Sequence, residues 1–395
     1  MSADGEAVAG TIAPGQPSPT SGRATLRAAL PVVAAVLALH VGFVLVRTAM
    51  VGGLDGFVVY DGRAYFRIAS DPLTLAVTDH GITFTRPAYW QTRIGYPLAA
   101  WIASLGARAG LVAAALVLVN LLAIGGTTLL GSTVARRLGR SAWWGALPAL
   151  WPGFLVGLGQ DLTEPLAGLL LLGALVLLRS HRHVLAALAL TAAGLTRETT
   201  LLVAIAVLAA GLLARHGPER RLAPPWWVGL LPLAVYAGWR TWVRARWVDV
   251  VPSPPSDNPL GTPGAELVQY LGAALGDPLR AAPNLALLLP TLLALGLVAT
   301  ALHGEGPRHE KLALAGYLLV LASLPVWDRG QAYLRWGCEP FVIGWLLLVG
   351  GTYAARARRA LRPLVWVVAV VWLVAATKSV AYSASDAWSG WWTWS

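Results

Sequence analysis

With one cysteine, two methionines and only 19 acidic residues in 395, this chain lacks most of the side chains from which redox centres, metal clusters and disulfide scaffolds are built. Cys338 alone can neither close an intrachain disulfide nor supply a cysteine cluster for zinc or iron-sulfur binding. No His-x-x-x-His pair, acidic triplet or glycine-rich phosphate loop occurs, so metal hydrolysis and direct nucleotide hydrolysis have no motif. No metal and no cofactor are expected. Charged residues make up 12% of the chain, about half of what a soluble globular domain carries. No internal repeat is visible, so the two-half architecture of many transporters has no support.

What the chain has in quantity is apolar sequence. The hydrophobic fraction is 56% and the mean hydropathy is +0.62. Long apolar stretches recur from Leu26 to Tyr382, several near the length that crosses a bilayer. The bilayer core has no water to satisfy open sheet edges, so these stretches are expected as helices. The fold class expected is an all-α polytopic membrane protein. A net charge of +11 would suggest nucleic acid in a soluble protein. Here the basic residues fall in short loops between apolar runs, as the positive-inside rule requires, and no nucleic-acid partner is expected.

Placing the amino terminus in the cytoplasm puts more than half of the 30 basic residues inside. These are Arg23 and Arg27, Arg136, Arg137 and Arg140, Arg179 and Arg182, Arg215, Arg220 and Arg221, Arg308 and Lys311, and Arg356, Arg358, Arg359 and Arg362. The resulting layout has eleven crossings: 27–49, 110–135, 142–158, 162–179, 184–196, 198–214, 226–243, 284–302, 312–326, 338–355 and 363–382. The first of these is too long for a signal-peptide core and lacks a clear cleavage site, so it is expected to stay as an anchor. The location expected is a bacterial plasma membrane, with many passes and a cytoplasmic amino terminus.

Three regions follow. Residues 1–22, rich in Gly, Pro, Ser and Ala, are expected as a disordered cytoplasmic tail. Residues 23–382 form the membrane domain. Residues 383–395, with Trp388, Trp391, Trp392 and Trp394, are expected as an outer-face aromatic anchor. The 184–196 and 198–214 spans are short, so their connection is expected as a re-entrant-like hairpin with Thr196-Arg197-Glu198-Thr199 at its tip. The same holds for Gly159-Gln160-Asp161-Leu162-Thr163-Glu164. Residues 94–107 are too short to cross and are expected to lie at the outer interface. Proline-rich 244–283 is expected to resist regular structure.

The local features with chemical content lie on the outer side of this layout. Tyr60-Asp61-Gly62-Arg63-Ala64-Tyr65-Phe66-Arg67-Ile68-Ala69 follows the first span by about ten residues. Arg93-Ile94-Gly95-Tyr96-Pro97-Leu98, Asp161-Leu162-Thr163-Glu164-Pro165-Leu166, Leu195-Thr196-Arg197-Glu198-Thr199 and Tyr333-Leu334-Arg335 come after it. In this order the segments resemble the C-type (GT-C superfold) glycosyltransferases, and among them the PIG-V-type mannosyltransferases and their bacterial relatives. The likeness covers roughly 60 to 200 and is mainly topological beyond that. It implies a GT-C-like first outer loop in which Asp61 takes the proton of an acceptor hydroxyl. It also implies a sugar, mannose or similar, delivered from a polyprenyl-phosphate donor.

The chemistry can be stated without the family. Transfer from a lipid-linked phosphosugar needs a base near the acceptor oxygen, cations or donors for the departing phosphate, and a groove for an apolar chain. Asp61 meets the first need. Arg197 and Arg335, with Arg93 as a further candidate, meet the second, because the planar guanidinium matches phosphate oxygens. Displacement by an activated hydroxyl, without a protein nucleophile, inverts the anomeric centre. The substrate-binding set expected is Arg197, Glu198, Arg335, Arg93, Asp161 and Glu164. The partners are membrane lipid, a lipid-linked sugar donor, and a glycan, lipid or protein acceptor.

Plainer readings stand beside these. Asp61-Gly62 suits a turn, Arg197-Glu198 suits a structural ion pair, and Asp161 and Glu164 suit a helix start with Pro165 in the first turn. Arg63, Arg67, Asp71, Asp79 and His80 suit a solvated loop surface. A transporter or flippase of a lipid-linked sugar is the alternative function. An acyltransferase or polysaccharide ligase would need a catalytic outer histidine, for which only His80 offers itself.

Overall fold

The computed structural model describes residues 19–108, 110–214, 223–250, 260–350 and 354–383, and within these no side chain of 19–21, 354–360 or 381–383 is described. The proposed tail at 1–22 therefore lies outside the described residues up to 18, and its last four residues form the first turn of a helix. The tryptophan-rich tail from 384 onward, the loop carrying Arg215, Arg220 and Arg221, and the prolines at 252, 254, 255 and 259 also lie outside them.

The described chain is almost wholly helical. α1 (Pro19–Val51) leads to a short amphipathic α2 (Asp61–Ser70). A two-stranded hairpin follows, β1 (Thr78–Asp79) with β2 (Ile82–Thr83). Its tip is His80-Gly81, both with positive φ, the geometry of a tight two-residue hairpin turn. Next come α3 (Pro87–Gln91), α4 (Gly95–Ala103) and the long α5 (Val112–Arg137). The 142–158 region is broken into a 3-10 turn, α6 (Ala146–Ala149) and α7 (Pro152–Gly159). After it come α8 (Glu164–Arg179), α9 (His183–Thr196), α10 (Leu201–Leu213) and α11 (Trp227–Trp247). The remainder is α12 (Ala265–Gly276), α13 (Pro278–Ala299), α14 (Arg308–Ala322), α15 (Gly330–Trp336), α16 (Cys338–Gly350) and α17 (Ala354–Ser383).

The all-α class and apolar, membrane-type helices are present, but eleven crossings are not shown. Among the described residues, four helices are long and apolar enough to span: Gly22–Val51, Val112–Arg137, Pro278–His303 and Leu361–Val380. A fifth appears if α15 and α16, bent by 44° at Gly337, count as one. Most of the other apolar segments are helical yet short, while α11, at 21 residues, is long enough but carries Arg240, Arg244 and Arg246. The 14 residues of α9 rise about 21 Å, less than the roughly 30 Å of hydrocarbon. The 142–158 run fails for another reason: Pro148 and Pro152 withhold donors from a continuous ladder.

Two loop expectations are corrected. The 244–283 region is not irregular throughout, because α12 occupies Ala265–Gly276, where the prolines have ended and helix formers dominate. Arg67 is not a solvated surface group. It is buried, donates to the carbonyls of Val77 (2.6 Å), Ile82 (2.8 Å) and Ala76, and lies over the Phe84 ring at 4.0 Å. One guanidinium thus ties together three carbonyls at and before the hairpin, adding to the Phe84 N–H that Val77 already accepts. The 94–107 segment holds α4, whose nine residues are too few to cross.

The charged helix ends sort to the two ends of the bundle, with α9 running back from Arg182 to the Arg197 that meets the start of α8. α8 runs from Glu164 to Arg179, and α16 from Cys338 to Gly350, whose Cα sits against Arg179. Arg179 also forms a buried pair with Glu310, 2.6 Å, at that end. α5 ends at Arg136 and Arg137, while its first turns pack on α4 and α2. Asp61, Glu164, Arg197 and Arg335 therefore gather at one end of the bundle, and Arg136, Arg137, Arg179 and Arg182 at the other.

Candidate active site

Asp61 opens α2 directly after Tyr60, whose φ of 49° turns the chain into the helix. Gly62 follows because α2 presses on the Gln160 carbonyl, where a Cβ would collide. The Asp-Gly pair is therefore a helix start with a close contact. Gly95 plays the same part against Thr196, bringing α4 onto the end of α9. From α5, Asn120 donates to the Tyr96 hydroxyl (2.9 Å) and the Leu162 carbonyl (3.2 Å). The segments that carry the sequence resemblance are thus fixed to one another by backbone-level contacts.

Their charged side chains converge. Asp61 accepts from Trp90 Nε1 at 3.3 Å and from Arg335 at 3.4 Å. Arg335 donates through Nε to Glu164 at 2.5 Å. Arg197 lies 3.6 Å from the same Glu164 oxygen and 3.2 Å from Glu339, and donates to the Arg335 carbonyl at 3.0 Å. Thr199 donates to Glu339 at 2.6 Å. A second pair stands beside this chain: Arg93 holds Glu198 through two bonds of 2.7 and 2.5 Å and also donates to the hydroxyls of Tyr65 and Tyr89.

A cavity of about 490 Å³ opens over this network. Its floor has Asp61, Arg197 and Thr199, one wall comes from Tyr89, Trp90 and Arg93, and the other from α15 with Arg335 and Trp336. Asp61 keeps 29% of its side chain exposed while Glu164 keeps none. That difference decides which carboxylate can touch a ligand. Burial pushes the Asp61 carboxyl up, but Arg335, Arg93 and the Trp90 hydrogen bond outweigh it and hold the group below the ordinary aspartate value. Asp61 is therefore an accessible carboxylate at neutral pH.

No family model, curated protein or solved structure matches this chain. The reading of the site rests on its geometry.

The expected residues separate into three groups. Asp61, Arg93, Arg197 and Arg335 line the cavity. Glu164 and Glu198 lie behind it, gripping those arginines. Asp161 lies apart: it is fully buried, does not line the cavity, and faces the charge of Arg47 in α1. His80 pairs with Asp79 at 3.7 Å on the exposed hairpin tip. Glu339 was not anticipated, although Cys338-Glu339-Pro340 repeats the Thr163-Glu164-Pro165 pattern of an acid and a proline opening an apolar helix. Among the described residues no group of three His, Cys, Asp or Glu side chains is placed to hold a metal ion.

Proposed function

We propose that the chain is a membrane glycosyltransferase that moves a sugar from a polyprenyl-phosphate donor to an acceptor hydroxyl at the extracytoplasmic face, with inversion, in the manner of the GT-C enzymes. The observation that carries this reading is Asp61, a partly exposed carboxylate in a cavity whose lining is otherwise mostly arginines and aromatic rings. The acceptor hydroxyl oxygen attacks the anomeric carbon as its proton passes to Asp61. The bond from that carbon to the phosphate oxygen breaks on the opposite face, and the departing lipid phosphate carries the added negative charge to the arginines. Trp90 and Trp336 offer flat apolar faces to a sugar ring.

A second cavity, about 620 Å³ and lined by Leu73, Ile94, Leu98, Trp101, Val235 and Trp239, supports the lipid half of the donor. It lies across the wall formed by Arg93-Ile94 and Leu195-Thr196-Arg197, whose residues contribute to both cavities. An isoprenoid chain matches its apolar lining.

The test is sugar release from a panel of polyprenyl-phosphosugars by the purified protein, beside Asp61→Asn. Turnover by the wild type that falls at least about 100-fold in a folded Asp61→Asn protein is the expected result and identifies the donor. Turnover that survives removes Asp61 as the base. Silence across the panel with competent acceptors moves the reading to a transporter or flippase of a lipid-linked sugar.

A further inference from the structure

The guanidinium groups at the base of the polar cavity are all taken up by carboxyl groups of the protein. Arg93 is tied to Glu198, Arg197 to Glu339 and Glu164, and Arg335 to Glu164 and Asp61. Three guanidinium groups thus face four carboxyl groups, and every guanidinium of this inner set is already engaged before any ligand enters. An arriving anion needs a cation outside the set. Arg329 is so placed: it lines the same cavity from the residue before α15. Its carboxylate neighbour among the described residues is Asp328 at 3.8 Å, with both side chains about 60% exposed, a pairing worth little in water. Arg86 adds positive charge from the facing wall.

Arg335 stands on the same wall as Arg329, and its two carboxylate bonds are unequal. Nε meets Glu164 at 2.5 Å, whereas the terminal nitrogen reaches Asp61 at 3.4 Å. The buried, short bond holds the side chain in place. The longer bond faces the cavity and is the one an incoming oxygen can replace.

We propose that Arg329 and the Asp61-facing edge of Arg335 form a binding site for a phosphate ester, and that the bound phosphate displaces Asp61 from Arg335. The identity of the ester as a lipid-linked sugar rests on the function proposed above; the anion site does not. Asp61 competes with the ligand for Arg335 and repels it as a like charge. Binding of the phosphate therefore releases Asp61 from its ion pair at the moment an acceptor needs a base, and a donor-first order follows.

The experiment measures affinity of the full-length protein in detergent for farnesyl phosphate, with farnesol and inorganic phosphate as comparison ligands. Asp61→Asn keeps the shape and removes the charge, so it tightens farnesyl phosphate binding by about tenfold, and Asp61→Ser moves it in the same direction. Arg329→Gln weakens binding by about tenfold, and Arg329→Lys restores part of the loss. Farnesol binding is unchanged by any of these. Inorganic phosphate following the same order supports a site that reads the phosphate alone; if only the prenyl ester binds and follows it, the site is one for lipid-linked phosphate. Unchanged or weaker binding in Asp61→Asn, indifference to Arg329→Gln, or no binding of either phosphate overturns the proposal. Sugar transfer by the wild type without the Asp61→Asn tightening overturns this inference alone. Tightening in a protein that transfers no sugar leaves the anion site standing and removes the transferase.

Discussion

Asp61 is held between two opposing effects, desolvation that favours its neutral form and two arginines that favour its charge, and the arginines win. A base needs the charged form, so activity that depends on Asp61 is lost only as pH falls through its lowered pKa. The acid limb of the kcat/KM profile, which reports the free enzyme with Asp61 still paired to Arg335, is accordingly expected below about pH 4, the ordinary aspartate value. Arg335→Gln removes the nearer positive charge and lets burial act with less opposition. The limb then moves to higher pH, alongside a lower maximal rate. An Arg335→Gln limb at the wild-type position would show that Arg335 does not set the charge of Asp61. The same residue-level logic applies to Glu339. Its removal leaves Arg197 buried with less compensation, and Glu339→Ala is expected to cost about 3–5 kcal/mol of stability. Thermal unfolding of the purified protein in detergent reads that loss.

At the scale of elements, α2 reaches the site because its second residue has no side chain. Gly62→Ala drives a Cβ into the Gln160 carbonyl, a backbone atom that cannot rotate away. A cost of about 1–3 kcal/mol is expected, with transfer falling as Asp61 is pushed off its position. Gly22→Ala, where a Cβ meets nothing within 4 Å, is the control that should leave melting temperature unchanged. Helix existence was legible from apolar runs, and so was a separate segment after the first span bearing Asp61. The break at 142–159 was missed because hydropathy alone made that run look continuous, although Pro148 and Pro152 stood in it. The pairing of Arg93 with Glu198 and of Arg335 with Glu164 was not legible at all. The partners are 105 and 171 residues apart, and a sequence says which ions are present without saying which of them meet. Glu339 could have been found from the repeated acid-proline helix start.

For the whole molecule, the decisive quantity is which end of the bundle faces out. The site end is nearly neutral, since its arginines are matched by Asp61, Glu164, Glu198 and Glu339. Among the described residues the other end carries Arg136, Arg137 and Arg182 without comparable compensation, so by the positive-inside rule it is the end expected in the cytoplasm. The β1–β2 hairpin, with His80 49% exposed, stands on the site side, and exposed Arg182 on the basic side. Cys338 is the chain's one cysteine and is buried, so a Cys338→Ser background is silent to labelling. In that background a membrane-impermeant maleimide applied to intact cells is expected to label His80→Cys and to spare Arg182→Cys until the membrane is permeabilised. The reverse pattern would put Asp61 in the cytoplasm, where the cavity would meet nucleotide-linked sugars. A donor carried on a polyprenyl phosphate at the outer face would then have no route to it. Labelling at both positions from one side would mean that α8 and its neighbours do not span at all, and the short helices would have to be read as lying within one leaflet.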